Sequence, residues 1–423
     1  MTTGSLLDGV VYAFRDLFGS QNFALFSAYV WGLILCEGRH TVSGIYLASP
    51  PQSRYWSLVK FLSRGQWDET QVVQRLIGLL LEYVTDWVYV YDHTHAIKTG
   101  KKQFGLHFFR NHRYRKRNTN QSKFHWGHQF AGLGLLGLDG LTARLFPVWV
   151  HLLDPKVLGR SALAAFESIV SVMPAGLILF DRGFNNRKYF KCLLQHGHQL
   201  LCRARKNAAF YYVPTDAEQP KKGRKRIYGR RVHIQHWSYA RLPVPGFDEP
   251  LWVADQIVRT RMCPQPVHLV VVRTRPQPSK PYRYFLVYTT DLSLSVATIV
   301  RYYKLRWSFE TNMRDTKEEL GFDQYQVRSQ QAIQRSVLLS FVAASLTQLL
   351  AWPAFEKAQE QTVPALKEGL QQMGIHWYHP KRWTLGLLLR YLRWQKRRRV
   401  FSLSIVDEEK YGKKEPPYAI AAG

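Results

Sequence analysis

Two short apolar runs, each closing on an aspartate, limit the possible folds most. Trp87-Val88-Tyr89-Val90-Tyr91 is followed by Asp92, and Leu177-Ile178-Leu179-Phe180 by Asp181. Runs of β-branched, aliphatic and aromatic residues without polar alternation read as strands covered on both faces, which requires helices packed against a sheet. An acid at the end of each run puts a carboxylate where strands leave the sheet, the edge at which α/β proteins gather ligands. The chain has 423 residues, more than the roughly 250–300 at which single cores stop growing, so two or three domains around a substantial core are expected.

The periodicity around these runs sets the organisation. Residues 1–82 read as a helical N-terminal domain: Phe26, Val30, Ile34 and Leu35 recur at helical spacing, as do Val72, Val73, Leu76, Leu79 and Leu80. The basic turn Gly38–Gly44 and the segment Ser53–Ser57 make this part a candidate DNA-binding unit. Residues 83–205 continue with strands at Trp126–Leu138 and Leu141–Leu153, joined by the tight-hairpin pair Asp139-Gly140, and with helices at Ala162–Val172 and Lys188–Gln195. The run Gly132–Gly137 lacks the Lys-Ser or Lys-Thr of a nucleotide loop and reads as strand. Residues 206–290 read as a β-rich insertion with strands at Val232–Tyr239, Leu251–Val258, Val267–Val272 and Tyr284–Tyr288. The pattern is helical again over 291–355 and in the basic C-terminal region 356–423.

Charge narrows the partner. Lys and Arg number 59 against 30 Asp and Glu, a formal charge of +29, and such a surplus calls for a polyanion such as nucleic acid. Hydrophobic residues at 46% exclude a disordered chain. Two runs concentrate the charge: Arg110–Arg117, and Lys221-Lys222-Gly223-Arg224-Lys225-Arg226 within the insertion. Side chains of this kind neutralise phosphates and release counterions, giving affinity with little sequence preference. Trp237 and Trp252 are candidates for stacking on an unpaired base. The tail segments Lys381–Trp383 and Arg390–Arg399 fit DNA or a second subunit.

Phe23–Cys36 is too short to span a bilayer, and Ser336–Phe355, though long enough, carries several polar residues and a late Pro353. Both are expected as buried helices, the second amphipathic. With no export signal in the first twenty residues, a cytoplasmic location is expected. The four cysteines, Cys36, Cys192, Cys202 and Cys263, show no two-residue spacing and read as buried thiols, with no zinc site.

Tyr303, Arg306, Glu310 and Lys317 form the one constellation with chemical content. On a continuous helix at about 100° per residue they fall within an arc of about 60°, and Arg314 extends it. Glu310 is then a lone carboxylate within a strip of cations, suited to face an anionic substrate with metal. The spacing also fits a salt-bridged surface helix. Asp92, Asp181 and Glu310 come from three distant segments and could meet at one sheet edge, where about three carboxylates suffice for two-metal phosphodiester chemistry.

Here the chain resembles the bacterial insertion-sequence DDE transposases marked by Tyr, two residues, Arg, three residues, Glu, six residues, Lys. The matching residues are Tyr303, Arg306, Glu310 and Lys317. Asp181-Arg182-Gly183-Phe184 is similar to the family's second acidic segment, and Tyr91-Asp92-His93-Thr94 with Lys98–Lys102 to its first. The likeness runs from about 85 to 350. It implies an α/β chain with an RNase H-like catalytic core interrupted by the β-rich insertion. Asp92, Asp181 and Glu310 would be the catalytic acids, holding two Mg²⁺ ions, with Mn²⁺ as a substitute. Tyr303, Arg306 and Lys317 would hold phosphates and flanking bases, with Arg314 and the insertion's basic run as further DNA contacts. The implied activity is cleavage at inverted-repeat ends and transfer of the 3′-hydroxyl to target DNA by a homodimer, in the bacterial nucleoid. The competing readings are an RNase H-like nuclease without strand transfer and a non-catalytic, domesticated DNA binder. Asp86 is the alternative first acid; Asp139 and Asp154 read as a turn residue and a helix-start residue.

Overall fold

The computed structural model describes residues 3–49, 54–111, 114, 122–140, 142–274, 283–360 and 363–411. Most of the basic run Arg110–Arg117 lies outside them, as do Ser53 and Leu141. Helices α1 (Thr3–Tyr12), α2 (Ser20–Leu35), α3 (Val42–Ala48), α4 (Tyr55–Arg64) and α5 (Glu69–Leu81) come first. Strands β1 (Trp87–Ile97), β2 (His107–Arg110), β3 (Phe124–Asp139) and β4 (Thr142–Leu152) follow, then α6 (Leu158–Val170), β5 (Leu177–Phe180), α7 (Arg187–Gln195) and β6 (Gln199–Ala204). Strands β7 (Phe210–Tyr212), β8 (Ala240–Leu242), β9 (Leu251–Thr260), β10 (Cys263–Thr274) and β11 (Arg283–Thr289) come next. The chain closes with α8 (Val296–Leu305), α9 (Ser308–Leu320), α10 (Gln330–Leu349), α11 (Pro353–Ala358), α12 (Leu366–Gln372) and α13 (Leu385–Tyr411).

All eleven strands among the described residues belong to one mixed sheet in the order β2-β3-β1-β5-β6-β11-β10-β9-β7, with β4 also beside β3 and β8 beside β9. Strand β3 runs antiparallel to both β1 and β4, whereas β5 runs parallel to β1 and β6 parallel to β5. The strands of 206–290 continue this same sheet, since β11 pairs antiparallel with β6 from Leu286↔Ala204 to Thr289↔Leu201. The apolar character of β5 follows from its place between β1 and β6, where all four residues are buried.

The expected strand at Val232–Tyr239 does not form. Ile234–His236 is a 3₁₀ turn instead, because the Tyr239 hydroxyl donates to the Ile234 carbonyl (2.9 Å) and folds the segment on itself. The expected end of β1 at Asp92 is also corrected. The strand runs on to Ile97, since His93–Ile97 keep their pairing with Ala131–Gly127 of β3. Only its pairing with β5 stops, at Tyr91↔Phe180.

Alternation along β1 decides what each face carries. Tyr91 points to α6 and α7, its ring 4.9 Å from Phe166 and 6.2 Å from Tyr189. Asp92 therefore faces the other side, where α9 lies. There Asp92 pairs across the ladder with Gly132, and a Cβ at Gly132 would stand 2.8 Å from Phe309 Cζ. The missing side chain lets α9 settle on the sheet beside Asp92, which gives the glycine-rich β3 a packing reason.

Helix α10 is the spine of the fold. It is long and apolar enough to cross a membrane, yet every residue from Ala332 to Leu349 is buried between β4 and the N- and C-terminal helices. It is thus buried all round rather than amphipathic, and it ends before Pro353, which starts α11. Its polar residues are matched from both layers. The Gln334 side-chain Oε1 accepts from Leu152 N–H (2.7 Å), and Arg335 donates to Glu69 (2.7 Å), Gly65 O (2.8 Å) and Trp67 O (2.7 Å). One cluster of buried side chains runs from Leu6 to Leu392 through this helix.

Two outcomes follow for stability. Arg335→Ala leaves Glu69 and two carbonyls without their buried partner, and a urea titration should show a loss of about 3–5 kcal/mol. His128 is buried, with Nε2 donating to the Phe104 carbonyl (2.7 Å) and Nδ1 accepting from the Tyr325 hydroxyl (2.7 Å). Burial pushes it down to about 4. Its stabilisation is complete above the unfolded value near 6.5 and is lost as pH falls towards 4. Denaturation at pH 7 and pH 5 should show a loss of about 2 kcal/mol from this group. His128→Gln should start less stable and lose correspondingly less between the two pH values.

Candidate active site

The parallel register of β1 and β5 sets the first two acids. Tyr91 and Phe180 are partners, so Asp92 and Asp181, each one residue on, emerge side by side where the two strands separate. The third acid arrives on α9, whose first turn carries Glu310. All three gather around one guanidinium. Arg306 Nη1 is 3.0 Å from Asp92 Oδ2, and Nη2 is 3.6 Å from Asp181 Oδ1 and 3.7 Å from Glu310 Oε1.

Arg306 reaches this position because the helix breaks there. The single continuous helix expected across Tyr303–Lys317 is two, α8 ending at Leu305 and α9 starting at Ser308. Arg306 and Trp307 form the tight turn between them, with Trp307 N–H donating to Lys304 O (3.3 Å) and Phe309 N–H to Arg306 O (3.1 Å). The turn buries Arg306, whose side chain is 7% exposed, and leaves Trp307 60% exposed.

The acids differ in environment. Asp92 is 18% exposed, against 40% for Asp181 and 44% for Glu310. Asp92 Oδ1 accepts from the His93 N–H (2.8 Å). Loss of water around it raises its carboxyl to about 6, against the pull of Arg306 and the His93 N–H. Asp181 and Glu310 push in the same direction as burial. A low-solvent carboxylate beside two others is a ligand set short of positive charge.

These acids line a cleft of about 1400 Å³. Arg314 and Lys317 line it as well. Tyr303 does not: its ring packs on Phe285 and its hydroxyl accepts from Arg203 Nη1 (3.1 Å). Lys221, Lys222, Arg224, Lys225 and Arg226 occupy an exposed loop away from the cleft lining, braced where Gln219 accepts from Arg226 N–H (2.8 Å). Trp237 donates to the Tyr212 hydroxyl (3.1 Å), and Trp252 lies under Arg241. Asp86 precedes β1 at its far end, where its carbonyl accepts from Leu138 N–H, roughly 20 Å of strand away from Asp92. Asp139 sits at the β3–β4 hairpin, and Asp154 Oδ1 accepts from Lys156 N–H at a helix start.

Sequence reasoning missed Arg205, Lys206 and Asn207, which enter the cleft from the end of β6, and Gln129, which enters from β3; His93 and His95 enter it from β1. The signal for the first group was present: Leu200-Leu201-Cys202 is another apolar run, beside β5, and cations follow it.

The donor set fits divalent cations. Two ions about 3.5–4 Å apart, each about 2.1 Å from its oxygens, bridge carboxylates up to about 8 Å apart. Oxygens of Asp181 and Glu310 that share one nitrogen at 3.6 and 3.7 Å fall within that span.

Residues 150–346 match the family model described as a transposase DDE domain, and residues 13–133 match one described as a DDE superfamily endonuclease. No curated protein matches the chain. Domains of this superfamily generally use divalent metal ions. The second match contains Asp92 and the first contains Asp181 and Glu310, and together the two support a DDE-superfamily transposase-type nuclease.

Proposed function

We propose that this protein is a metal-dependent DNA transposase of the insertion-sequence group with the Tyr-Arg-Glu-Lys signature. It cleaves at the inverted-repeat ends of its element and transfers the freed 3′-hydroxyl into target DNA. The observation that carries this reading is the meeting of Asp92, Asp181 and Glu310, from three distant segments, around Arg306. The order β4-β3-β1-β5-β6, antiparallel then parallel, supports an RNase H-like core.

Asp92, Asp181 and Glu310 are the residues that would hold two Mg²⁺ or Mn²⁺ ions. Such ions help generate the attacking oxygen and stabilise the leaving one. The chain's own part is positioning. Arg306 fixes the three carboxylates in one orientation from beneath, and Tyr303 acts at one remove by holding Arg203. Arg314, Lys317, Arg205 and Lys206 line the cleft and offer cations to the phosphates on either side of the scissile bond. The loop with Lys221, Lys222, Arg224, Lys225 and Arg226 gives a further backbone contact. Joining two ends calls for two copies of the chain on DNA, a homodimer.

The test uses duplexes ending in the inverted repeats that flank the coding region. The parent protein with Mg²⁺ should nick them, and Asp181→Asn and Glu310→Gln should each lower the rate at least about 100-fold. Equal cutting by parent and variants removes the active-site assignment. With a pre-cut end bearing a 3′-hydroxyl, joined products support transposition, while cutting without joining leaves a nuclease.

Packing at Gly132 gives a second outcome. Gly132→Ala presses on Phe309 and shifts α9, and such overpacking costs about 1–3 kcal/mol. Nicking should fall about 10-fold with every acid in place. Adding Phe309→Leu should restore part of the rate in the same assay.

A further inference from the structure

Away from the carboxylate cluster, helices α6 and α7 flank β5 in sequence and pack on each other. Glu167 stands in the last turn of α6, and Cys192 and His196 stand four residues apart at the end of α7. A carboxylate oxygen, the Sγ and a ring nitrogen of these residues lie within 4.8 Å of one another, the one such group of three among the described residues. Cys192 is buried and the other two are exposed, so an ion would meet the thiol from solvent, between two side chains free to adjust.

We infer that Glu167, Cys192 and His196 form a site for a thiophilic divalent cation of the zinc class, separate from the cleft, an inference that does not rest on the proposed activity. The donors are the first argument: sulfur with imidazole and one carboxylate suits zinc, whereas magnesium takes oxygen. The spacing is the second. Ligand atoms about 2.0–2.3 Å from a tetrahedral ion stand roughly 3.3–3.7 Å apart, which small rotations at Glu167 and His196 supply. Electrostatics is the third. Two helix C-termini converge at the site, each carrying partial negative charge, and a thiolate with a carboxylate balances a dication. On binding, the Cys192 sulfur gives its proton to water and takes the metal in its place. Three protein ligands leave a fourth position for water. The bound ion ties α7 to α6 and so steadies the Asp181–Asn186 segment that leads from β5 into α7.

Cobalt tests this. Full-length protein stripped with chelator is titrated with Co²⁺ in excess Mg²⁺, which fills oxygen-only sites. One equivalent should produce a sulfur-to-cobalt charge-transfer band in the near ultraviolet with the visible absorption of a tetrahedral ion, and Zn²⁺ should abolish both. Cys192→Ser should remove the charge-transfer band. His196→Ala, at an exposed position that leaves the thiol and the fold intact, should weaken Co²⁺ binding at least about 10-fold. Asp181→Asn should keep the full band, which separates this site from the cleft. Absence of a sulfur band in the parent, an unchanged band in Cys192→Ser, or full affinity in His196→Ala overturns the inference.

Discussion

A single buried guanidinium holds three carboxylates in register, and the active-site architecture depends on that balance. Carboxylates about 4 Å apart repel by a few kcal/mol at the effective dielectric of a protein surface. Arg306 meets Asp92, Asp181 and Glu310 together, with a side chain only 7% exposed. One positive charge against three negative leaves a deficit that suits divalent cations. Placing Arg306 there requires the break between α8 and α9, and placing α9 there requires Gly132 opposite Asp92. Sheet register, helix break and glycine are therefore parts of one constraint.

The parts of this arrangement legible in the sequence were those written in local chemistry. Apolar runs ending in acids marked β1 and β5, and Asp139-Gly140 marked the β3–β4 hairpin. The spacing of Arg306 and Glu310 put both on one side of a helical segment, and they do face one another. What escaped was set by tertiary partners. Nothing local says that β1 outlasts its neighbour β5, because the extension is stabilised by β3 residues some 35 positions later. The helix break carries no Gly or Pro, and it persists because Arg306 is drawn into the carboxylates. Tyr303 shares the strip by spacing, yet the break turns it toward Phe285 and Arg203. The strand β6 was overlooked because its run is short and follows a helix directly.

Helix α10 shows the same division between composition and context. Its sequence satisfies the length and hydropathy of a membrane span, but Gln334 and Arg335 find partners in β4 and in the N-terminal helices. Its polar residues join two layers, and the stack α2–α10–β4 is continuous as a result. Through β3 that stack reaches β1 and the acids.

The union of β6 with β11 has a mechanical consequence. Four consecutive residue pairs fasten β11 to β6, so among the described residues β7–β11 and the strands bearing the acids form one continuous sheet. A load applied at the outermost rim, near the lysine- and arginine-rich loop, travels through the ladder as through a stiff plate. The rim therefore stands at a fixed reach from the three acids, much as a fence sets the depth of a saw.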